Sequence, residues 1–68
     1  MKLSARNQIP GTVKTVKPGA TTTHVTIEIG GGSTITSSIT NEAAEELGLK
    51  PGMQVFAVIK ASDVMVGV

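Results

Sequence analysis

Two short segments of the 68-residue chain carry the side chains best suited to chemistry, Ser4-Ala5-Arg6-Asn7 and Lys60-Ala61-Ser62, with Thr40 between them. Arg6 and Lys60 supply positive charge, Ser4, Thr40 and Ser62 supply hydroxyls, and the backbone N–H of Ala61 adds a directed donor. Thr40 also precedes a helix-forming stretch whose first N–H groups have no partner within the helix. Jointly the set suits a small oxyanion. Taken singly, each residue has a plainer role: Ser4 and Arg6 as a loose leading segment, Thr40 as a helix cap, Lys60 as a surface side chain resting on its aliphatic stem.

Catalysis has little to work with. A nucleophile needs a base beside it, and the single histidine, His24, sits on a strand among threonines with no acidic residue placed to orient it. It reads as a surface side chain. Glu42, Glu45 and Glu46 share one short helix and form a solvated face. Gly30-Gly31-Gly32 leads from strand to strand, whereas a phosphate loop leads into a helix and carries a lysine. The triplet reads as a hairpin turn.

The elements that must position these groups follow from an apolar period of two. Ile9, Gly11 and Val13 begin a first strand from about Ser4 to Val16, with Pro10 restricting it to an edge or a bulge. Lys17-Pro18-Gly19 turns the chain. Thr23, Val25, Ile27 and Ile29 alternate with polar residues in a second strand, and Ser33 to Ile39 returns as a third. At Thr40 the period changes: Thr40 caps a two-turn helix, Ala43 and Leu47 are expected against the sheet, and Gly48 ends it in the left-handed conformation. Pro51-Gly52 turns again. Gln54 to Ala61 is apolar on both faces up to Lys60 and is expected to be covered twice, and Val64, Val66 and Val68 form a fifth strand. Three strands, a helix and two strands is the order of a five-stranded Greek-key barrel of the OB type, all-β apart from the helix.

Composition bounds the assembly. The chain has no Cys and one His, so neither disulfides nor a structural zinc can staple so small a core. Oligomerisation remains. No apolar run approaches the ~20 residues that span a bilayer, and the leading Met1-Lys2-Leu3-Ser4-Ala5-Arg6-Asn7 lacks a signal-peptide core; a cytoplasmic protein without a membrane partner is expected. Six Lys/Arg against five Asp/Glu give no field to gather nucleic acid. The competing reading, an OB-type single-stranded nucleic-acid-binding module, needs aromatic platforms, and Phe56 is the only aromatic residue.

At the donor segments the chain resembles the Mop family, the molbindins. The resemblance spans nearly all of it, through Ser4-Ala5-Arg6-Asn7-Gln8 with Gly11 and Val13, Ser38-Ile39-Thr40, Leu47-Gly48-Leu49-Lys50-Pro51-Gly52, and Val58-Ile59-Lys60-Ala61-Ser62-Asp63-Val64. It implies a single Mop domain over residues 1–68, an OB-type barrel assembled as a homohexamer, a trimer of dimers, that binds molybdate or tungstate at subunit boundaries for storage and homeostasis, with no enzymatic activity and no organic cofactor. By the same resemblance Ser4 and Arg6 form one binding segment and Lys60, Ala61 and Ser62 the other, with Thr40 donated by a neighbouring subunit. A second class of site near three-fold axes would fall around Gly19, Ala20 and Thr22. The ligand chemistry agrees: molybdate is a dianion with no proton to donate at neutral pH, so its pocket should offer donors only.

Overall fold

A computed structural model describes residues 1–68. Strands β1 (Asn7–Pro18), β2 (Thr22–Gly30) and β3 (Ser33–Thr40) are followed by helix α1 (Asn41–Leu47), strand β4 (Gln54–Ile59) and a 3-10 turn at Ala61–Asp63. All pairings are antiparallel in one sheet of order β3-β2-β1-β4. Three successive strands with a fourth returning beside the first is a Greek key; the return carries α1.

β1 holds the sheet together by changing partner along its length. From Asn7 to Thr12 it pairs with β4, and from Thr12 to Pro18 with β2. Between Val13 and Thr15 the register with β2 shifts, a bulge that bends the strand and curls the sheet. Val13 is pinned there by its N–H donating to Met53 O at 2.9 Å and its carbonyl accepting from Gly52 N at 2.8 Å. Pro10 lies where β1 has β4 as its sole ladder partner, so its missing N–H costs little. The concave face buries Val13, Val25, Ile27 and Ala57, with Ile9, Val16, Ile29, Ile35, Ile39, Leu49 and Val55 packed around them.

The helix forms for the expected reasons. Thr40 Oγ1 accepts from Ala43 N at 3.1 Å, and Gly48, at φ 62° and ψ 37°, turns its N–H back to the last carbonyls. Its packing differs from expectation: the buried residue is Ala44, while Leu47 is 62% exposed. The short helix is anchored instead at its first residue. Thr23, buried in β2, donates from Oγ1 to Asn41 Oδ1 at 2.6 Å. Asn41 Nδ2 in turn donates to Gly19 O at 3.0 Å and Ala20 O at 3.4 Å.

Three further expectations are corrected. β1 starts at Asn7 rather than near Ser4 and β4 stops at Ile59 rather than Ala61, because the ladder between them ends at the Asn7–Ile59 pair. β4 is covered on one face only, with Phe56 54% and Val58 43% exposed. The fifth strand does not form: Val64–Val68 has no ladder partner and Val66 is 91% exposed. The single chain is therefore a curled four-stranded sheet whose two edges, β3 and β4, are open, not a closed five-stranded barrel. Alternating valines specify a strand face but not which edge lies within reach.

Candidate oxyanion-binding site

The β1–β4 ladder decides what the two donor segments can do. Its last pair is Asn7 with Ile59, and Asn7 Nδ2 adds a bond to Ile59 O at 3.2 Å. The chain entering at Asn7 and the chain leaving at Ile59 are therefore neighbours, and neighbouring strands lie about 4.8 Å apart. One residue beyond that pair lie Arg6, just ahead of β1, and Lys60, just ahead of the 3-10 turn that holds Ala61 and Ser62. Segments separated by more than fifty residues of sequence thus leave the sheet at the same corner.

The corner is open and rich in donors. Ser4, Arg6, Lys60, Ala61 and Ser62 are all exposed. The side-chain bonds close by are made by their neighbours, Asn7 to Ile59 O and Gln8 Nε2 to Ala5 O at 3.2 Å. Lys60 sits at the start of the 3-10 turn without making a side-chain cap bond. Its ammonium and the Arg6 guanidinium remain free for an anion, and at ~1.5–3 kcal/mol a charge-assisted hydrogen bond is the strongest kind available here. Asp63 is the one carboxylate in the same turn.

Thr40 is not brought to this corner. It pairs with Thr22 at the far end of the sheet, where β1 finishes at Pro18. There it lines a shallow recess of 360 Å³ with Ala20, Thr21, Asn41 and Glu42. Within one chain, then, Thr40 is separated from the candidates that flank the end of the β1–β4 ladder. Asn41 was missed by sequence reasoning, which weighed Thr40 as the cap and passed over the residue behind it. Its long-range bonds to Gly19 and Thr23 leave no local sequence signal. No group of His, Cys, Asp and Glu is arranged to hold a metal cation. The surroundings of exposed Phe56 are apolar, with Ile39, Leu47 and Val58 alongside, and lack the basic residues that a nucleic-acid backbone requires.

Residues 3–66 match the TOBE domain family. The chain is a TOBE domain of the Mop family. The TOBE chain is 50% identical to molybdenum-pterin-binding protein 1 of Clostridium pasteurianum over 66 residues, 97% of each chain. Its fold superposes on MopII of the same organism with a TM-score of 0.91 at 46% identity, covering 98% of this chain and all of that one. It also superposes on the cytoplasmic molybdate-binding protein ModG, in a form with molybdate bound, with a TM-score of 0.93 at 56% identity; there it covers 48% of the longer chain. The resemblance read from the donor segments is thereby borne out.

Thr40 offers a direct test of the cap. Thr40→Ala is expected to cost about 1 kcal/mol of stability through the lost bond to Ala43 N, whereas Thr40→Ser keeps it. Thermal melts of the two variants at equal chain concentration check this.

Proposed function

We propose that this TOBE domain binds molybdate, and tungstate with it, at the corner where Ser4 and Arg6 meet Lys60, Ala61 and Ser62, and serves to store and buffer the oxyanion in the cytoplasm without catalysing a reaction. The observation that supports the reading is the β1–β4 ladder, whose last pair, Asn7 with Ile59, leaves Arg6 and Lys60 as the next residue on each strand, with the 3-10 turn of Ala61–Asp63 directly after. The molybdate-bound ModG structure, 56% identical over the whole of this chain, supports the choice of ligand. In this reading Thr40 joins the site from a neighbouring copy within a homohexamer built as a trimer of dimers. Thr40 Oγ1 already accepts from Ala43 N and keeps its own hydrogen to donate.

Discrimination follows from proton inventory and size. A donor-only site satisfies all oxygens of a fully deprotonated dianion, while phosphate near neutrality keeps a proton that needs an acceptor. Sulfate, also proton-free, is smaller and leaves longer hydrogen bonds. Micromolar affinity needs about 8.2 kcal/mol net, and six charge-assisted bonds supply roughly 9–18 kcal/mol gross before the anion's desolvation. Isothermal titration of the assembled protein is expected to give a saturable heat with molybdate and tungstate and none with phosphate at equal concentration. Equal heats for all three anions would refute the reading.

A further inference from the structure

Asn41, the first residue of α1, bonds to the β1–β2 turn along its whole length. Its backbone N–H donates to Thr21 O at 3.0 Å, its Nδ2 donates to Gly19 O at 3.0 Å and Ala20 O at 3.4 Å, and its Oδ1 accepts from the buried Thr23 hydroxyl at 2.6 Å. Gly19 N closes the turn on itself by donating to Thr22 O at 2.7 Å. Backbone carbonyls only accept, so the amide has one workable orientation: Nδ2 toward the turn and Oδ1 toward β2, with Thr23 as the donor. The remaining hydrogen bonds of α1 stay within the helix and its caps. A seven-residue helix is also well short of the ~12–15 residues at which an isolated helix holds its own shape, and it buries a single alanine, Ala44. Asn41 therefore decides where α1 begins.

We infer that Asn41 is a positioning residue for oxyanion binding: tied to Thr23 and the β1–β2 turn, it fixes the residue before it, Thr40, so that the Thr40 hydroxyl is held in one place for the anion. Thr40 is exposed and is placed from both sides by groups that Asn41 organises. Its backbone pairs with Thr22, inside the turn that Asn41 grips, and its Oγ1 accepts from Ala43 N in the first turn of α1 at 3.1 Å. A helix free to swing would carry the hydroxyl with it, and a donor that must be ordered on binding contributes less than one already in place. Both amide hydrogens of Asn41 are engaged by carbonyls. It keeps no donor for the anion and acts through Thr40.

This inference rests on the assignment of Thr40 to the oxyanion in the proposed function. Its test is a double-mutant cycle in the assembled full-length protein, read as molybdate affinity by titration calorimetry well below the melting temperature. Thr23 is 1% exposed and cannot touch an anion, and Thr23→Val removes its hydroxyl at nearly constant volume. Thr23→Val is expected to weaken molybdate binding about 2- to 10-fold, the equivalent of one neutral hydrogen bond, and Thr23→Ser to bind like the wild type. In a Thr40→Ala background, Thr23→Val is expected to cost no further affinity, because the hydroxyl that it positions is gone. Asn41→Ala, at a half-buried position, gives the same comparison without altering the core should Thr23→Val not fold. A clamp that serves stability alone lowers Tm in both backgrounds and leaves the affinity of the folded assembly unchanged. That result, with Thr40→Ala itself weakening binding, overturns the inference and leaves the proposed site standing. A Thr40→Ala protein that binds molybdate like the wild type overturns the assignment of Thr40 and this inference together.

Discussion

Lys60→Ala is expected to weaken molybdate binding by about 10- to 150-fold, the equivalent of one charge-assisted hydrogen bond of ~1.5–3 kcal/mol, with no measurable loss of fold. Lys60 is exposed, lies beyond the last ladder pair of β4, and makes no cap bond to the turn that follows. Its truncation removes nothing that packs, and surface changes of this kind stay within about 0.5 kcal/mol of stability. Arg6→Ala is expected to behave alike, because Arg6 precedes β1 and is also exposed. Lys60→Arg retains the charge but replaces a compact ammonium with a wider fork, so an intermediate affinity is expected. Titration calorimetry combined with light scattering separates the possibilities: weaker binding in an intact assembly supports the site, whereas unchanged affinity, or dissociation before any ligand is added, assigns the residue elsewhere.

Gly11→Ala carries the largest expected cost in stability. A Cβ at this position would lie 2.6 Å from Ile27 Cγ2 and 2.7 Å from the Glu28 carbonyl oxygen, with Ile29 Cγ2 at 3.3 Å. The Ile27 methyl sits on the Cβ of a buried β-branched side chain and has little freedom to turn, and the carbonyl belongs to the β2 backbone and moves only if the strands part. Overpacking of this sort costs about 1–3 kcal/mol, and in a domain of this size each kcal/mol lowers Tm by about 4–8 °C. The requirement at Gly11 is space, unlike that at Gly48, where the backbone has φ 62° and no atom stands within 4 Å of a Cβ. The effect should extend to function, since β1 beyond Gly11 carries Asn7 and, with it, the neighbouring donors. A thermal melt at fixed chain concentration checks the first part, because mass action moves the Tm of any oligomer. A Gly11→Ala protein that melts with the wild type would show that β2 gives way at no cost.

Local sequence determined much of this molecule. Alternation placed β2 and β3 and the hairpin between them, because β-branched residues spaced by two on a half-buried face specify a strand with a definite inside. Thr40 and Gly48 bounded the helix because a cap bond and a left-handed residue are satisfied within a few residues of themselves. The donor character of Ser4, Arg6, Lys60 and Ser62 was equally legible, as was the kinship it carries, since side-chain chemistry does not depend on distant contacts. What only the tertiary structure decided is relative placement. The β1–β4 ladder ends one residue short of Arg6 and Lys60, while Thr40 lies at the opposite end of the sheet. Ala44 rather than Leu47 faces the core because Asn41 fixes the helix to the turn at Gly19 and Ala20 and to Thr23. The valines after Asp63 have the pattern of a strand but no edge of their own chain beside them. Periodicity reports which face of a segment is apolar; pairing depends on what the rest of the chain brings within about 5 Å of it, and that distance is set by turns and bulges far away in sequence.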